Sequence, residues 1–390
     1  MHWDCAGALA GEASLGACGI AQHYQPDHPA IPPHAAPCYA LTHKSEEENS
    51  MKCRSIMVAL LATLGIHTAS QAQNVTLSFS AWVPPSHMLV RDGMIPWMEE
   101  VEKVTQGRVK IRLLPKAAAN AVNHLDAVAD GLADVAFISH SYTPARFPMT
   151  RIGVLPFAGD SAEVASVALW RIYDKHFTKL NEHKGVKLIT IYTHGAGIFW
   201  NAKRPIRTVE DFAGLKIRVG GGIAADVANA LGVNAISKPA PESYELLSTG
   251  VVDGVMFPGE SIVSFKLDKL LKFATAFPGG LYSDSHAVIM NEGAWKKISK
   301  ADQDAITRIS GEALARAIGK AWDKNAGAGF DAFKAGGGQI IPADATLVKA
   351  VADRTARFEQ EWVKAVNDKG MNGGAIVAEY RAELKKLEGK

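Results

Sequence analysis

The chain has 390 residues, 47% of them hydrophobic and 21% charged, with a formal net charge of +2. That length supports two or three compact cores, and so balanced a charge argues against a nucleic-acid surface or a polybasic membrane tether. The apolar content excludes a disordered chain, and no run of about 18 uncharged apolar residues suggests a membrane-spanning helix.

The first 72 residues read as processing sequence. Met51-Lys52-Cys53-Arg54 is a short basic stretch, the apolar segment Ile56–Ile66 follows, and Ser70-Gln71-Ala72 places small residues where a secretory signal peptide is cut. Cleavage is expected after Ala72, so that the mature chain starts at Gln73. Residues 1–50 lie upstream of that signal and show no periodicity; they read as an over-extended start, with Met51 the initiator, or as a disordered tail. All four cysteines (Cys5, Cys18, Cys38, Cys53) precede Gln73. A mature chain without cysteine has no disulfide framework, zinc–thiolate site or thiol nucleophile. Its 39 basic and 34 acidic residues leave a net charge of +5.

From Thr76 onward the pattern describes one unit twice. In the first copy a strand over Thr76–Trp82 leads to a helix over Met88–Thr105, ended by Gly107. A strand Val109–Leu114, a short helix near Val122–Asp130, Gly131-Leu132-Ala133-Asp134 and a buried strand Val135–Ile138 follow. In the second copy, strand Leu215–Val219 runs through Gly220-Gly221-Gly222 to a helix over Ile223–Leu231, then strand Val233–Ser237. A short helix Glu242–Thr249 leads to Gly250-Val251-Val252-Asp253 and strand Val255–Phe257. Both copies are βαβαβ and both close on helix, Gly-x-x-Asp, strand.

An amphipathic helix over Ala162–Leu180 and a strand Lys187–Tyr192 lie between the copies. After them come a strand His286–Met290 and helical stretches Lys300–Lys334 and Asp344–Lys369, which Gly327, Gly329 and Gly336–Gly338 interrupt or end. The expected fold is α/β: two lobes with parallel-core sheets, flanking helices and a ligand cleft at the strand carboxyl ends. Residues 73–194 form lobe 1, completed by 284–325; residues 195–283 form lobe 2, completed by the helices of 326–390.

Arg218 is the leading site candidate. It stands near the carboxyl end of a strand, before three glycines and a helix N-terminus, where free backbone N–H groups favour an anion. A guanidinium fork matches a carboxylate, and glycine lets a backbone approach closely, which brings in Gly220. Aromatic residues near the strand ends add Trp82, Tyr142, Trp200, Phe257 and Tyr282, any of which could close over a small ligand or pack in a core, and Phe199, for which core packing is expected. His140 and His194 follow strands and are the histidines best placed for the cleft. Glu260, past Pro258-Gly259, could meet a donor on the ligand or face water. The glycine run lacks the dinucleotide spacing and no phosphate-binding loop occurs, so no nucleotide cofactor is expected; no Gly-x-Ser-x-Gly elbow or zinc-protease histidine spacing points to catalysis or a metal.

The stretch Arg204-Pro205-Ile206 … Asp211-Phe212-Ala213-Gly214-Leu215-Lys216-Ile217-Arg218-Val219, with Ala230-Leu231-Gly232, Tyr244 and Thr249–Gly254, resembles the solute-binding subunit of TRAP (tripartite ATP-independent periplasmic) transporters of the DctP-like type. Glu102–Val109 and Asp130–Val135 fit the same resemblance, which covers nearly all of residues 74–390. It implies a type II-like periplasmic binding fold and a receptor, not an enzyme. Such a receptor passes a small organic acid to the small and large membrane permease subunits, without nucleic acid or nucleotide. The family's shared arginine falls on Arg218 and pairs with the ligand carboxylate. A further arginine of dicarboxylate and sialic-acid receptors falls on Gly197, and a frequent asparagine before proline is Phe257. Those departures shift the expected ligand to a monocarboxylate with an apolar or aromatic body near Phe257. A receptor of another transport class, or an exported enzyme on the same scaffold, is the alternative.

Overall fold

A computed structural model describes residues 74–389; the expected signal peptide, the 1–50 extension and the Gln73 start lie outside the described residues. The strands are β1 (Val75–Ser80), β2 (Val109–Leu113), β3 (Val135–Ser139), β4 (Val186–Thr193), β5 (Gly197–Asn201), β6 (Lys216–Val219), β7 (Asn234–Ser237), β8 (Gly254–Pro258), β9 (Phe273–Ala276), β10 (Ser285–Asn291) and β11 (Gln339–Pro342). The helices are α1 (Ile95–Val104), α2 (His124–Ala129), α3 (Ala162–His176), α4 (Gly222–Ala230), α5 (Ser243–Ser248), α6 (Ser261–Ser264), α7 (Glu292–Lys297), α8 (Lys300–Arg308), α9 (Glu312–Ala335), α10 (Ala345–Thr355), α11 (Arg357–Asn367) and α12 (Gly373–Glu388). None of them is long and apolar enough to cross a membrane.

The strands form two sheets, ordered β2-β1-β3-β10-β4 and β11-β9-β5-β8-β6-β7. In the first, β1 pairs in parallel with β2 and β3; in the second, β6 pairs in parallel with β7 and β8. The βαβαβ repeat is therefore real, and each copy has its first strand in the middle. Its Gly-x-x-Asp ending has a structural reason in both lobes. Gly131 and Gly250 turn the chain at φ +77 and +73 after a short helix, as helix C-terminal glycines do. The aspartate three residues on then accepts a backbone N–H from the central strand: Asp134 Oδ2 from Ser78 and Asp253 Oδ2 from Lys216.

The sheets are mixed, not parallel throughout, because each takes in strands beyond its repeat. β10 runs antiparallel to β3 and β4, and β5 runs antiparallel to β8 and β9. The chain passes from the first sheet to the second between Thr193 and Gly197, and returns between Ala276 and Ser285. A third crossing follows α9, which packs on α3 and leads into β11. Both faces of each sheet are covered. Val135 and Phe137 of β3 enter one core cluster while Ala136 and Ile138 enter another; Met256 and Val255 of β8 divide in the same way.

The C-terminal region departs from the expected assignment of 326–390 to lobe 2. β11 joins the second sheet, and Leu347 and Val351 of α10 with Phe358 join the lobe 2 core. From Trp362 on the chain goes back: Trp362, Val366, Ile376, Val377 and Tyr380 pack into the lobe 1 core around Leu169, Ile172 and Tyr173, and Trp362 Nε1 donates to the Met149 carbonyl. Helix α11 thus turns Phe358 to one lobe and Trp362 to the other.

Two glycines of α9, Gly327 and Gly329, behave in opposite ways, and neither interrupts the helix. Gly327 is exposed, with open space where a Cβ would sit; at Gly329 a Cβ would lie 1.8 Å from the Gly259 carbonyl oxygen. Gly329 is the point at which α9 touches the loop after β8, whereas Gly327 only weakens the helix. Gly327→Ala should raise stability by about 0.5–1 kcal/mol. Gly329→Ala should lower it by about 1–3 kcal/mol through overpacking. Denaturant titration of the two variants reads the opposite signs; equal shifts would contradict the packing described.

Candidate ligand-binding site

Residues of β6 alternate in their surroundings: Ile217 enters the lobe 2 core, and Arg218 turns to the opposite face. Only 2% of Arg218 is exposed. Its Nε donates to the Lys238 carbonyl oxygen at 2.8 Å, and its guanidinium carbon lies 4.4 Å from the Phe257 ring centroid. Burial is the largest influence on this group and lowers its pKa; Tyr142, Tyr282 and, at longer range, Asp284 act the other way. Arginine nevertheless stays protonated in proteins. Among the described residues no carboxylate stands within ion-pair distance of it, whereas Arg108, Arg151, Arg171 and Arg316 all have such partners.

A belt of rings runs from Arg218 around a partly open cavity of about 60 Å³. Phe257 stacks on Phe265 at 5.5 Å, and Phe265 meets His87 at the same separation. His87 meets Trp322 at 6.4 Å, Trp322 meets His194 at 5.8 Å, and His194 stands edge-on to Tyr282 at 5.5 Å. Tyr282 brings the belt back to Arg218. Trp82, 5.7 Å from Tyr142, adds a further wall from lobe 1. Burial pushes His87, His194 and His286 down to about 4, so the three imidazoles are neutral near pH 7. Asp284 Oδ2 accepts from Ser139 Oγ at 2.6 Å and from Ser141 Oγ at 2.7 Å, and burial raises its pKa above the usual carboxylate range.

The lobes touch at this cavity. Tyr142 of lobe 1 accepts the Ala240 N–H of lobe 2 at 3.0 Å. Gly221, at φ +118, lies so close to lobe 1 that a Cβ would stand 2.5 Å from the Ser141 carbonyl oxygen. The glycine run after β6 is thus where the other lobe comes in; a side chain there would prop the cleft open.

Of the residues singled out in the sequence, Arg218, Phe257, Tyr142, Tyr282, His194, Trp82 and Gly220 line the cavity, while Phe199 packs in the lobe 2 core as expected. Four others do not line it. His140 faces away, with Nδ1 2.9 Å from Ser285 Oγ and Nε2 3.0 Å from His183 Nε2. Trp200 packs on Phe333, and its Nε1 donates to the Phe257 carbonyl oxygen, which fixes the strand that carries Phe257. Glu260 lies behind Ser261, whose Oγ donates to its Oε1; burial pushes this carboxyl up to about 8. Gly197 sits under Tyr282, and a Cβ there would lie 2.2 Å from the ring. Sequence reasoning missed His87, Phe265, Asp284, His286 and Trp322 as lining residues. Tyr282-Ser283-Asp284, just before β10, carried a usable signal. The start of an antiparallel strand lies beside the carboxyl ends of its parallel neighbours, but only once the pairing is known.

The model of the bacterial extracellular solute-binding protein family 7 (DctP) matches residues 79–371. The chain is 54% identical to a TRAP periplasmic solute-binding protein of Bordetella bronchiseptica solved with bound (R)- and (S)-mandelate, with a TM-score of 0.79 over 80% of this chain and 99% of that one. A TRAP solute-binding protein of Rhodoferax ferrireducens, solved with copurified benzoate, is 26% identical with a TM-score of 0.75, covering 80% of this chain and 98% of that one. A Comamonas testosteroni protein named outer membrane transporter protein TsaT is 31% identical over 85% of this chain and 97% of its own. A two-lobed α/β clamp, closed over a buried arginine and matched along most of its length, belongs to the family 7 extracellular solute-binding proteins, the solute receptors of TRAP transporters.

Proposed function

We propose that this receptor captures an aromatic monocarboxylate, with the carboxylate paired to Arg218 and the ring held by the belt that starts at Phe257. The observation that carries the reading is a fully buried guanidinium with no carboxylate partner among the described residues. A buried charge without a counter-ion is costly, and a planar anion entering the cavity would relieve that cost through two parallel hydrogen bonds. Arg218 is also the one lysine or arginine among the residues lining the cavity. A second ligand carboxylate would have no second cation to meet, and Asp284 would repel it. The rings supply apolar faces for an aryl group, in keeping with the mandelate and benzoate bound by the two structural relatives.

The action is binding without reaction. Open lobes admit the acid, Arg218 takes the carboxylate, and closure brings Ser141 onto Gly221 and removes water from the ion pair, which strengthens it. The ligand thereby biases the hinge equilibrium through its differential affinity for the closed form. Exported to the periplasm by the signal expected in residues 51–72, the closed receptor delivers its acid to the small and large permease subunits.

Two variants test this reading. Arg218→Met keeps the length of the side chain and removes the charge; calorimetric titration with mandelate and benzoate should show affinity reduced at least about a hundredfold, and unchanged affinity would refute the assignment. Gly221→Ala leaves Arg218 intact but blocks lobe contact. Its affinity should fall while its circular dichroism stays native, and small-angle scattering should show no compaction on adding ligand; normal compaction would refute the closure step.

A further inference from the structure

Two of the cavity histidines present opposite hydrogen-bonding groups. His194 Nδ1 lies within hydrogen-bond distance of the Gly195 carbonyl oxygen. A carbonyl only accepts, so Nδ1 carries the single proton of this neutral ring and Nε2 is a lone pair. His87 is the reverse. The Leu89 N–H donates to its Nδ1 at 3.2 Å, so Nδ1 is the lone pair and Nε2 carries the hydrogen. Neither Nε2 has a hydrogen-bond partner among the described residues, and neither is one of the fully enclosed polar atoms; both residues line the cavity.

The backbone fixes both tautomers. His87 stands at the entrance to a π-helical turn, Leu89–Met94, whose first residues supply the N–H that it accepts. His194 stands at the crossing from β4 to β5, where Ser283 Oγ donates to its carbonyl oxygen at 2.9 Å. The two rings flank the same indole, Trp322. The wall of the belt that includes Trp322 therefore offers one N–H donor and one lone-pair acceptor, one on each of two rings held by the backbone, with Ser283 and His286 beside them. A carboxylate has no use for the acceptor and an unsubstituted aryl ring has no use for either group. A hydroxyl, donor and acceptor at once, has use for both.

We infer that His87 and His194 form a hydroxyl-reading subsite, and that the receptor selects hydroxylated aryl carboxylates over their deoxy counterparts. The inference rests on the aryl-acid reading of the cavity and adds the ligand class to it. An analogue without the hydroxyl would cover both Nε2 atoms and leave them unpaired, which is how a site built around a hydroxyl rejects the compound lacking it.

The test is isothermal titration of the full mature chain with two pairs of acids: mandelate against phenylacetate, and 3-hydroxybenzoate against benzoate. The expected result is about tenfold or greater preference for the hydroxylated member of at least one pair; that pair also places the hydroxyl. His87→Phe and His194→Phe keep a ring in place but remove the polar atom. Each should bring the two members of that pair within about twofold. His87→Gln, whose amide nitrogen can still donate, should keep much of the preference, a rescue that a purely structural role would not produce. Equal binding within both pairs by the unmodified chain, or a preference that survives both phenylalanine variants, would overturn the inference and leave the aryl-acid reading standing. Binding of none of the four acids would overturn that reading and the inference with it.

Discussion

A cation taken out of water without a counter-ion is the constraint around which this molecule is arranged. Arg218 sits at the end of a strand whose other face is committed to the lobe 2 core, so the side chain is held at the cleft. A carbonyl oxygen and an aromatic face soften the cost of burial, each worth much less than an ion pair. The folded chain accordingly carries an electrostatic deficit in one place, and that place is enclosed when the lobes meet. In the proposed reading a ligand anion removes the deficit, so binding and closure favour one another.

The topology explains how so small a cavity draws on so much of the chain. Three of its walls belong to segments that pass between the lobes. His194 lies on the first crossing, Tyr282–Asp284 on the second, and Trp322 on the long helix that leads into the third. A hinge motion changes the geometry of crossing segments before anything else. In the proposed reading, ligand contacts placed on them turn occupancy into lobe position without a separate relay. Asp284, clamped by two serines at the end of β3, keeps the second crossing in register with lobe 1.

Much of the fold was legible because the repeat is local. The alternation of Val75, Leu77 and Phe79, the glycine stop after each short helix, and the Gly-x-x-Asp endings are set by neighbours within a few residues. The strands β5, β9 and β11 and the final helix α12 were not expected. The five residues Gly197-Ile198-Phe199-Trp200-Asn201 are buried on both faces, and the short apolar run Ile198-Phe199-Trp200 has no period to read. The same two-sided burial misled the reading of Trp200, which faces the lobe 2 core under α9. At 139–142 the backbone turns, so Ser141 and Tyr142 reach the cavity while His140 points away. Arg218 and its glycines could be read because anion recognition is written in adjacent residues. His87, Phe265 and Trp322 could not, because only the crossing connections bring them together. The C-terminal helices show the same limit: the apolar stripe of α11 is plain in sequence, but nothing local says that Phe358 and Trp362 serve different lobes.

The most direct test of the central claim is a crystal structure of the mature chain grown with mandelate. The account predicts both carboxylate oxygens about 2.8 Å from the Arg218 guanidinium nitrogens, with the phenyl ring inside the aromatic belt and the lobes in contact at Gly221. A carboxylate held by other groups, with Arg218 turned away from it, would contradict the account.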